Sequence, residues 1–292
     1  MASVDVTRVA GNIGALNALN SLTTINKELA IHQTRLASGK MINDASDDPS
    51  GLSMATTFDI RRQGLQTVLN GIGDAKNLLS TAAGGLQKIQ DILVTMKNKA
   101  LQGQSDTIGD SERTAIASQL NAYSKEIDSI VDQTQWNGTS LLGKSGSAGG
   151  VSTALNFLTS DTAASATTAY SFASNQGFGA FGAGTSGLGL KATYAVADIK
   201  SGGTALNDIS SAIATVKTGI TDVGSFSARL SFKEDAMTTQ YTNTEAAYNR
   251  IMNANMAEEQ VNSSKLQILQ QTATAMLSQA NTAPQFLLSL FK

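Results

Sequence analysis

The chain has 292 residues, a net charge of -2 and no cysteine, and 15% of its residues are charged. That charged fraction is well below the roughly 25% of an average globular domain. The near-neutral balance gives no electrostatic basis for binding nucleic acid or an anionic membrane surface. The absence of cysteine excludes disulfides, thiol catalysis and thiolate metal sites. Since only 5% of the residues are aromatic, we expect long helices packed side by side and no thick globular core.

The first predicted element is a helix near the N-terminus, because apolar or small side chains recur every three or four residues. They are Ala15, Ala18, Leu22, Ile25, Leu29, His32 and Leu36. Such heptad spacing is typical of a helix that supercoils with a partner along a narrow seam. His32 is the only histidine, and a pH switch or a metal ligand is one interpretation. We favour a polar residue that fixes the register of a coiled coil.

The segment "MINDASDDPSG", residues 41–51, separates this helix from the next. Asp48 before Pro49 predicts a helix start, since an acceptor side chain suits the N-cap and proline suits the first helical position. The carboxylates of Asp47 and Asp48 also favour the positive end of the new helix. A calcium loop is the alternative, but the EF-hand spacing of ligands is missing. We therefore predict a capped turn and link that includes Asp47, Asp48, Pro49 and Gly51.

Further heptad seams follow the link. The second helix is predicted from Leu65, Val68, Ile72, Ala75, Leu79, Ala82, Leu86, Ile89, Leu93, Met96 and Ala100, and the third from Ile116, Leu120, Tyr123, Ile127 and Ile130. The third helix closes on "QTQWNGTSLL", where Asn137-Gly138 predicts the turn of a β-hairpin because both residues tolerate positive φ.

Residues 146–204 lose the helical periodicity and are rich in Gly, Ser and Thr. Because glycine at this density disfavours helix and regular strand, we predict a small insertion of loops and short strands. Helical spacing then returns, first as Leu206, Ile209, Ile213, Val216, Ile220 and Val223, and then as Met237, Tyr241, Thr244, Tyr248 and Ile251.

The closing segment has no charged residue from Leu266 to Phe291. Its predicted seam is Leu266, Leu269, Ala273, Met276, Ala280, Ala283, Leu287 and Leu290. A membrane span is disfavoured because the glutamines of the segment would be costly in hydrocarbon. We interpret the segment as one half of a coiled coil, and its lack of charge as the mark of a helix surrounded by other copies.

The predicted fold class is therefore mainly α. It is an out-and-back hairpin of long helices, with a terminal coiled coil, a helical rod carrying a β-hairpin, and a small irregular or β insertion. With one histidine and no cysteine, the chain has almost none of the side chains needed for the metal site of a zinc hydrolase, and a single candidate histidine for a Ser-His-Asp triad. Gly84-Gly85 does not open a helix after a strand, so it predicts no phosphate-binding loop. We expect no enzyme, no metal and no cofactor.

Three long stretches of the chain resemble bacterial flagellin, the subunit of the flagellar filament. They are "NIGALNALNSLTTINKELAIHQTRLASGKMINDASDDPSGLSMA", "EIDSIVDQTQWNGTSLL" and "QILQQTATAMLSQANTAPQFLLSLFK". The resemblance covers residues 10–142 and 206–292. It implies a secreted homopolymer that forms the extracellular filament used for motility. The alternative is a hook–filament junction protein, which has similar ends and does not polymerise alone.

The resemblance also implies a domain division and a set of partners. Residues 1–42 and 252–292 would form the inner coiled coil, 43–145 and 205–251 the two sides of the rod, and 146–204 the variable surface. The implied partners are other copies, hook-associated junction proteins, a filament cap and an export chaperone, with no nucleic acid and no membrane insertion. The polymerisation core would include Leu22, Ile25, Leu29, Leu36, Leu266, Leu269, Ala273, Met276, Leu287 and Leu290. The N-terminus lacks the pattern of a cleaved secretory signal, so we expect export without one.

One stretch departs from the family pattern. Many flagellins are sensed by the vertebrate innate flagellin receptor through a segment Q-R-V-R-E-L-A-V-Q, which corresponds here to "VTMKNKALQ", residues 94–102. Thr95, Asn98 and Lys99 replace an Arg, a Glu and a Leu, whereas Lys97, Ala100, Leu101 and Gln102 are similar or identical in kind. Losing a bidentate Arg and an apolar anchor predicts weak receptor activation.

Overall fold

The computed structural model describes residues 12–143, 155–158, 167–170, 188–191 and 193–289. The chain forms two compact units, Met1–Arg61 with Asn243–Lys292 and Arg62–Thr242. The finer division predicted at residues 42, 145, 204 and 251 stays a prediction. The described residues are mainly helical, and the predicted fold class is confirmed.

The first unit contains the two terminal helices, α1 (Ile13–Ser38) and α6 (Met256–Ser289). Helix α1 begins after Asn12, whose Oδ1 accepts from the backbone N–H of Ala15 at 3.0 Å. It ends at Gly39, which has φ 70° and donates its N–H to the carbonyl of Arg35 at 2.8 Å. A left-handed glycine at this position is a common helix stop because it has no Cβ to clash.

The same unit holds the start of α2 (Pro49–Gly103) and the end of α5 (Ala205–Met252). Ile42, Ala55 and Met252 form a small buried cluster there. The backbone N–H of Met41 donates to the carbonyl of Met252 at 2.7 Å, and the N–H of Ala254 donates to the carbonyl of Gly39 at 3.0 Å. These bonds fasten the segment after α1 to the segment before α6.

The second unit is built on long stretches of α2 and α5 together with α3 (Asp110–Gln133). The predicted seam of α2 is its buried face, from Leu65 to Ala100 without a gap. It shares one apolar cluster with Ile116, Leu120 and Ile127 of α3 and with the buried residues of α5. The prediction left a break in α5 between Val223 and Met237. The helix is continuous there, because Phe226 and Leu230 keep the spacing and are buried.

The strands are short. β1 (Gln135–Trp136) pairs with β2 (Thr139–Ser140) around Asn137 at φ 49° and Gly138 at φ 77°. Positive φ at both central residues gives the primed turn that suits a two-residue hairpin loop. β3 (Leu155–Leu158) pairs with β4 (Thr167–Tyr170) in an antiparallel manner.

The segment that returns from the insertion is bound to α3 before it reaches α5. Buried Tyr194 donates its backbone N–H to Asn121 Oδ1 at 2.7 Å, and Asn121 Nδ2 donates to the Tyr194 carbonyl at 3.2 Å. The short helix α4 (Val196–Ile199) follows, and Asp198 Oδ2 accepts from the N–H of Ala195 at its start. These two hydrogen bonds satisfy the backbone N–H and carbonyl of Tyr194, which is not part of a strand.

Candidate assembly surface of the terminal helices

Helices α1 and α6 run in opposite directions and lie side by side. Near one end Asn12 Nδ2 donates to the carbonyl of Ala280 at 2.8 Å, and further along Gln270 Nε2 donates to Asn26 Oδ1 at 2.7 Å. At the other end His32 contacts Glu259. The residue numbers on α6 fall as those on α1 rise, which is the order of an antiparallel pair. The predicted pairing of the two terminal helices is therefore observed within one chain.

The seam of α1 coincides with the sequence pattern. Leu29 is buried, and Ala15, Ala18, Leu22, Ile25, His32 and Leu36 are all half-buried. The alternation of three and four residues keeps them in one line along the helix. Large apolar side chains elsewhere on α1 remain exposed, among them Ile13, Leu16 and Leu19.

The seam of α6 differs from the pattern predicted for it. At heptad spacing, its buried or half-buried residues are Glu259, Ser263, Leu266, Gln270, Ala273, Leu277 and Ala280. As members of the seam that faces α1, Leu269 and Met276 were predicted wrongly, because they are 40% and 61% exposed. Gln270 and Leu277 take those places. The role predicted for Leu269 and Met276 between copies is a separate question and stays a prediction. Leu287 lies in α6 without a described side chain, and Leu290 lies outside the described residues.

A charged cluster joins the two helices at one end of the seam. Nδ1 of His32 contacts Oε2 of Glu259, and Nη1 of Arg35 lies 3.6 Å from Oε1 of the same carboxylate. The side chains of His32, Arg35 and Glu259 are 20%, 25% and 10% exposed. A slip of one heptad would leave this largely buried carboxylate without its partners, which is costly. The contact agrees with the register role that we favoured for His32 from the sequence, and that role stays a prediction.

An apolar surface covers the side of α6 that faces away from α1. Val261, Ile268, Leu269 and Met276 are between 40% and 67% exposed. Val261, Ile268 and Leu269 line an open groove with Gln260, Ser264 and Lys265. We call Val261, Ile268, Leu269 and Met276 the outer face of α6. Large apolar side chains are exposed here at a density that commonly marks an interaction surface.

Charge is absent from one half of the α1–α6 pair. Residues 9–26 contain no Asp, Glu, Lys or Arg, and neither do residues 266–291. Because the helices are antiparallel, the charge-free part of α1 lies beside the charge-free part of α6, as the contact between Asn26 and Gln270 shows. The charged residues of α6, including Glu258, Glu259 and Lys265, all lie towards its N-terminus. A helix surface exposed to water normally carries charge on its outer side, so this half of the pair is poorly suited to permanent solvent exposure.

The link before α2 is held by its two carboxylates. Asp47 Oδ2 accepts from the N–H of Asn43 at 3.0 Å and of Asp44 at 3.3 Å, and these bonds hold the pKa of Asp47 below its usual value. Asp48 Oδ1 accepts from the N–H of Gly51 at 3.0 Å and from Ser50, which lowers the pKa of Asp48. A Cβ on Gly51 would lie 2.8 Å from Ile42 Cδ1. The acceptor oxygens are used within the turn, as a helix cap requires.

The segment 94–102 lies within α2. Thr95 and Asn98 are exposed, Lys97 and Lys99 are half-buried, and Leu101 is 47% exposed with Gln102 beside it. Met96 and Ala100 are buried and belong to the core of the second unit. Of the three positions that depart from the family pattern, Thr95 and Asn98 are therefore open to contact by a second protein, and Lys99 is half-buried.

Two further properties concern the described residues alone. Their helices include none that is long and apolar enough to cross a membrane. Among them, no group of three or more His, Asp or Glu side chains is arranged to hold a metal ion.

Comparison with known proteins places the chain in a family. The model of the bacterial flagellin N-terminal helical region matches residues 9–147, and that of the C-terminal helical region matches residues 206–291. The chain is 32% identical to a flagellin of Listeria monocytogenes, over 97% of this chain and 99% of that protein. It is 27% identical to the flagellar filament 41 kDa core protein of Borreliella burgdorferi, over 96% and 98%.

A solved structure with a similar fold is a flagellar hook-associated protein from Vibrio parahaemolyticus. The TM-score is 0.55 at 15% identity, and the match covers 71% of this chain and all of that one. At this identity the likeness concerns the fold alone. The relatives of higher identity that cover nearly the whole chain are filament proteins. The chain therefore belongs to the bacterial flagellin family, and it is a structural subunit of the flagellar filament.

Proposed function

We propose that copies of the chain are joined through the sides of α1 and α6 that do not face each other. The observation that carries this proposal is the coincidence of exposed apolar side chains with the absence of charge. Leu269 and Met276 lie on the outer face of α6, and Ile13, Leu16 and Leu19 lie exposed on α1. A contact that repeats without closing into a ring produces an open helical filament.

The composition of the seam supports the same proposal. Glu259, Ser263 and Gln270 occupy places in the α6 seam that a strong coiled coil would give to large apolar residues. Leu29 and Leu266, at 8% and 6% exposed, are the large apolar side chains that are buried along the described seam. Their burial stabilises the pair by about 1.5–3 kcal/mol each. The α1–α6 pair therefore has few strong contacts of its own. Burial of its exposed apolar side chains against neighbouring copies would stabilise the two helices more than their contact with each other does.

The site residues keep separate roles in this proposal. Leu22, Ile25, Leu29, Leu36, Leu266 and Ala273 hold α1 against α6, and Leu269 and Met276 contact neighbouring copies. Asp47, Asp48, Pro49 and Gly51 begin α2 and join the terminal pair to the rod. A filament assembled from the purified chain, seeded with fragments of its own filaments, tests this assignment. A variant that changes Leu269 must fail to elongate while its monomer keeps the helical content of the wild type.

An assay of filament formation also distinguishes a filament subunit from a hook–filament junction protein, which is the alternative function. A junction protein is present in a few copies and does not polymerise alone. We expect the purified chain to elongate seeds at a rate that is linear in monomer concentration. A chain that binds the seed end once and then stops would support the junction role.

We propose further partners on the basis of family membership and the exposed outer face of α6. Before assembly, an export chaperone covers the apolar side chains of Val261, Ile268 and Leu269, which would otherwise promote aggregation. Hook-associated junction proteins and a filament cap contact the ends of the polymer. Export proceeds without cleavage of a signal, and mass spectrometry of the N-terminus of secreted protein tests this directly. Loss of an N-terminal segment of about 15–30 residues, the length of a cleaved secretory signal, would contradict it.

We also propose that the segment 94–102 activates the innate flagellin receptor weakly. Thr95 and Asn98 are exposed and lack the charges that the family pattern provides there. The variant Thr95→Arg, Asn98→Glu, Lys99→Leu should raise signalling by purified monomer in a reporter cell line. Strong signalling by the unmodified monomer at a nanomolar dose would contradict the proposal.

A further inference from the structure

The sulfur of this chain is confined to methionine. There are 8 methionines and no cysteine, so a two-electron oxidant finds thioethers as its sulfur targets. Met96, Met237 and Met252 are at most 7% exposed, whereas Met41, Met54, Met256 and Met276 are between 39% and 61% exposed. Met1 lies outside the described residues. The buried methionines therefore provide a reference within the same chain for the rate at which the exposed methionines are oxidised.

Met276 is the most exposed of the described methionines, at 61%. It lies one heptad after Leu269 on the outer face of α6, within the charge-free half of the terminal pair. No charged side chain occurs within ten residues of it along the helix in either direction. We propose that Met276 is an oxidation-sensitive site, which a hydroperoxide modifies in the free subunit and which the filament shields.

The reaction is balanced without a cofactor. The sulfur lone pair of Met276 attacks one oxygen of hydrogen peroxide, and the O–O bond breaks as the S–O bond forms. The displaced hydroxide takes the proton from the oxygen now bound to sulfur and leaves as water. Sulfur loses two electrons and the peroxide gains them, so the product is methionine sulfoxide.

The consequence rests on the proposed function of the outer face. A sulfoxide is polar and accepts hydrogen bonds, whereas a thioether is an adaptable apolar side chain. Burying the sulfoxide beside Leu269 without a donor is unfavourable. Oxidation of the free subunit therefore weakens elongation, and a subunit already in the filament resists oxidation at this residue.

The experiment compares hydrogen peroxide treatment of monomers and of filaments, with peptide mass spectrometry at each methionine. In monomers we expect Met276 to react at least about tenfold faster than buried Met96, because thioether oxidation follows exposure. In filaments its rate should fall by a similar factor. Equal rates at Met276 in monomer and filament would overturn the inference.

Elongation of seeds by oxidised monomer gives the second measurement. We expect the critical concentration to rise about tenfold or more after oxidation, and treatment with methionine sulfoxide reductases should restore it. Met276→Leu should elongate normally after the same treatment, whereas Met54→Leu, the matched control, should remain sensitive. A Met276→Leu chain that loses assembly as completely as wild type would overturn the inference. Untreated wild-type protein that does not elongate would instead contradict the proposed function.

Discussion

The variant Leu269→Asp separates contacts between copies from contacts within one chain. Leu269 is 40% exposed, whereas Leu266, three residues earlier on the same helix, is 6% exposed and lies in the seam with α1. If assembly buries the exposed part of Leu269, that part contributes about 0.6–1.2 kcal/mol per copy, which is 40% of the usual value for a leucine. An aspartate there also leaves an unpaired carboxylate in a packed contact, at a cost of several kcal/mol.

These magnitudes give graded expectations for assembly. Since 1.4 kcal/mol is a factor of ten, Leu269→Ala should raise the critical concentration about 3- to 8-fold, and Leu269→Asp should abolish filaments at attainable concentrations. Sedimentation and negative-stain microscopy measure the filaments, and far-UV circular dichroism measures the monomer. The Leu269→Asp monomer should keep its helical content because the new carboxylate remains in water. In contrast, Leu266→Asp should reduce the helical content, because its carboxylate would replace a buried apolar side chain.

The matched control is Met54→Asp, a similar change at a residue that is 54% exposed on α2 and outside the terminal pair. We expect this variant to assemble. Wild-type filament yield from Leu269→Asp would refute the assignment of the outer face. Equal loss of assembly in Met54→Asp would show that the effect of charge is general.

The remaining predictions concern stability. Gly84→Ala should raise the free energy of unfolding by about 0.5–1 kcal/mol because its Cβ meets open space in a helix. Gly85→Ala should lower the free energy of unfolding by about 1–3 kcal/mol, since its Cβ would lie 2.6 Å from Thr134 Oγ1. Fluorescence of the single Trp136 during unfolding in urea measures both variants. Equal effects of the two variants would contradict the close packing around Gly85. Burial raises the pKa of Tyr194 to about 12, so the unfolded state releases this proton first, and stability should fall by on the order of 2–3 kcal/mol as pH rises from about 10 to 12. Tyr194→Phe should lack that fall, and an unchanged pH profile would refute the assignment. Glu259→Ala removes the carboxylate that contacts His32 and forms an ion pair with Arg35. It should lower the stability of the α1–α6 pair by about 1–3 kcal/mol, with a smaller loss in Glu259→Gln, as measured by circular dichroism in urea. Equal stability of both variants and wild type would contradict the register role.

Apolar periodicity alone predicted most of the second unit. In α2 the spacing from Leu65 to Ala100 indicates one buried face, because most side chains on the other faces are polar or small. Helix α5 was predicted less completely, since Gly224 and the charged run Lys233–Asp235 obscure the spacing that Phe226 and Leu230 continue. Burial in a helix depends on the line of side chains, and single polar residues beside that line do not interrupt it.

The seam of α6 could not be read in the same way, because this helix has apolar residues on more than one side. Leu269 and Met276 fit a heptad after Leu266 as well as Gln270 and Leu277 do, and the apolar choice was wrong for the contact with α1. The polar contacts of Glu259 with His32 and of Gln270 with Asn26 decide the register. Those contacts join residues more than 200 positions apart, so a local pattern holds no information about them. Helix α6 has polar residues in its seam and apolar residues outside it. This distribution is expected of a helix that forms one interface with α1 and another with neighbouring copies.

Helical reconstruction of the assembled filament by electron microscopy would show which side chains of α1 and α6 lie between copies. The assignment of the outer face predicts that Leu269 and Met276 are buried against neighbouring copies, while Leu266 stays buried within its own chain. It also predicts that the charge-free half of the α1–α6 pair is covered by protein along most of its length. A filament in which Leu269 and Met276 remain exposed to solvent would rule out the outer face of α6 as a contact between copies.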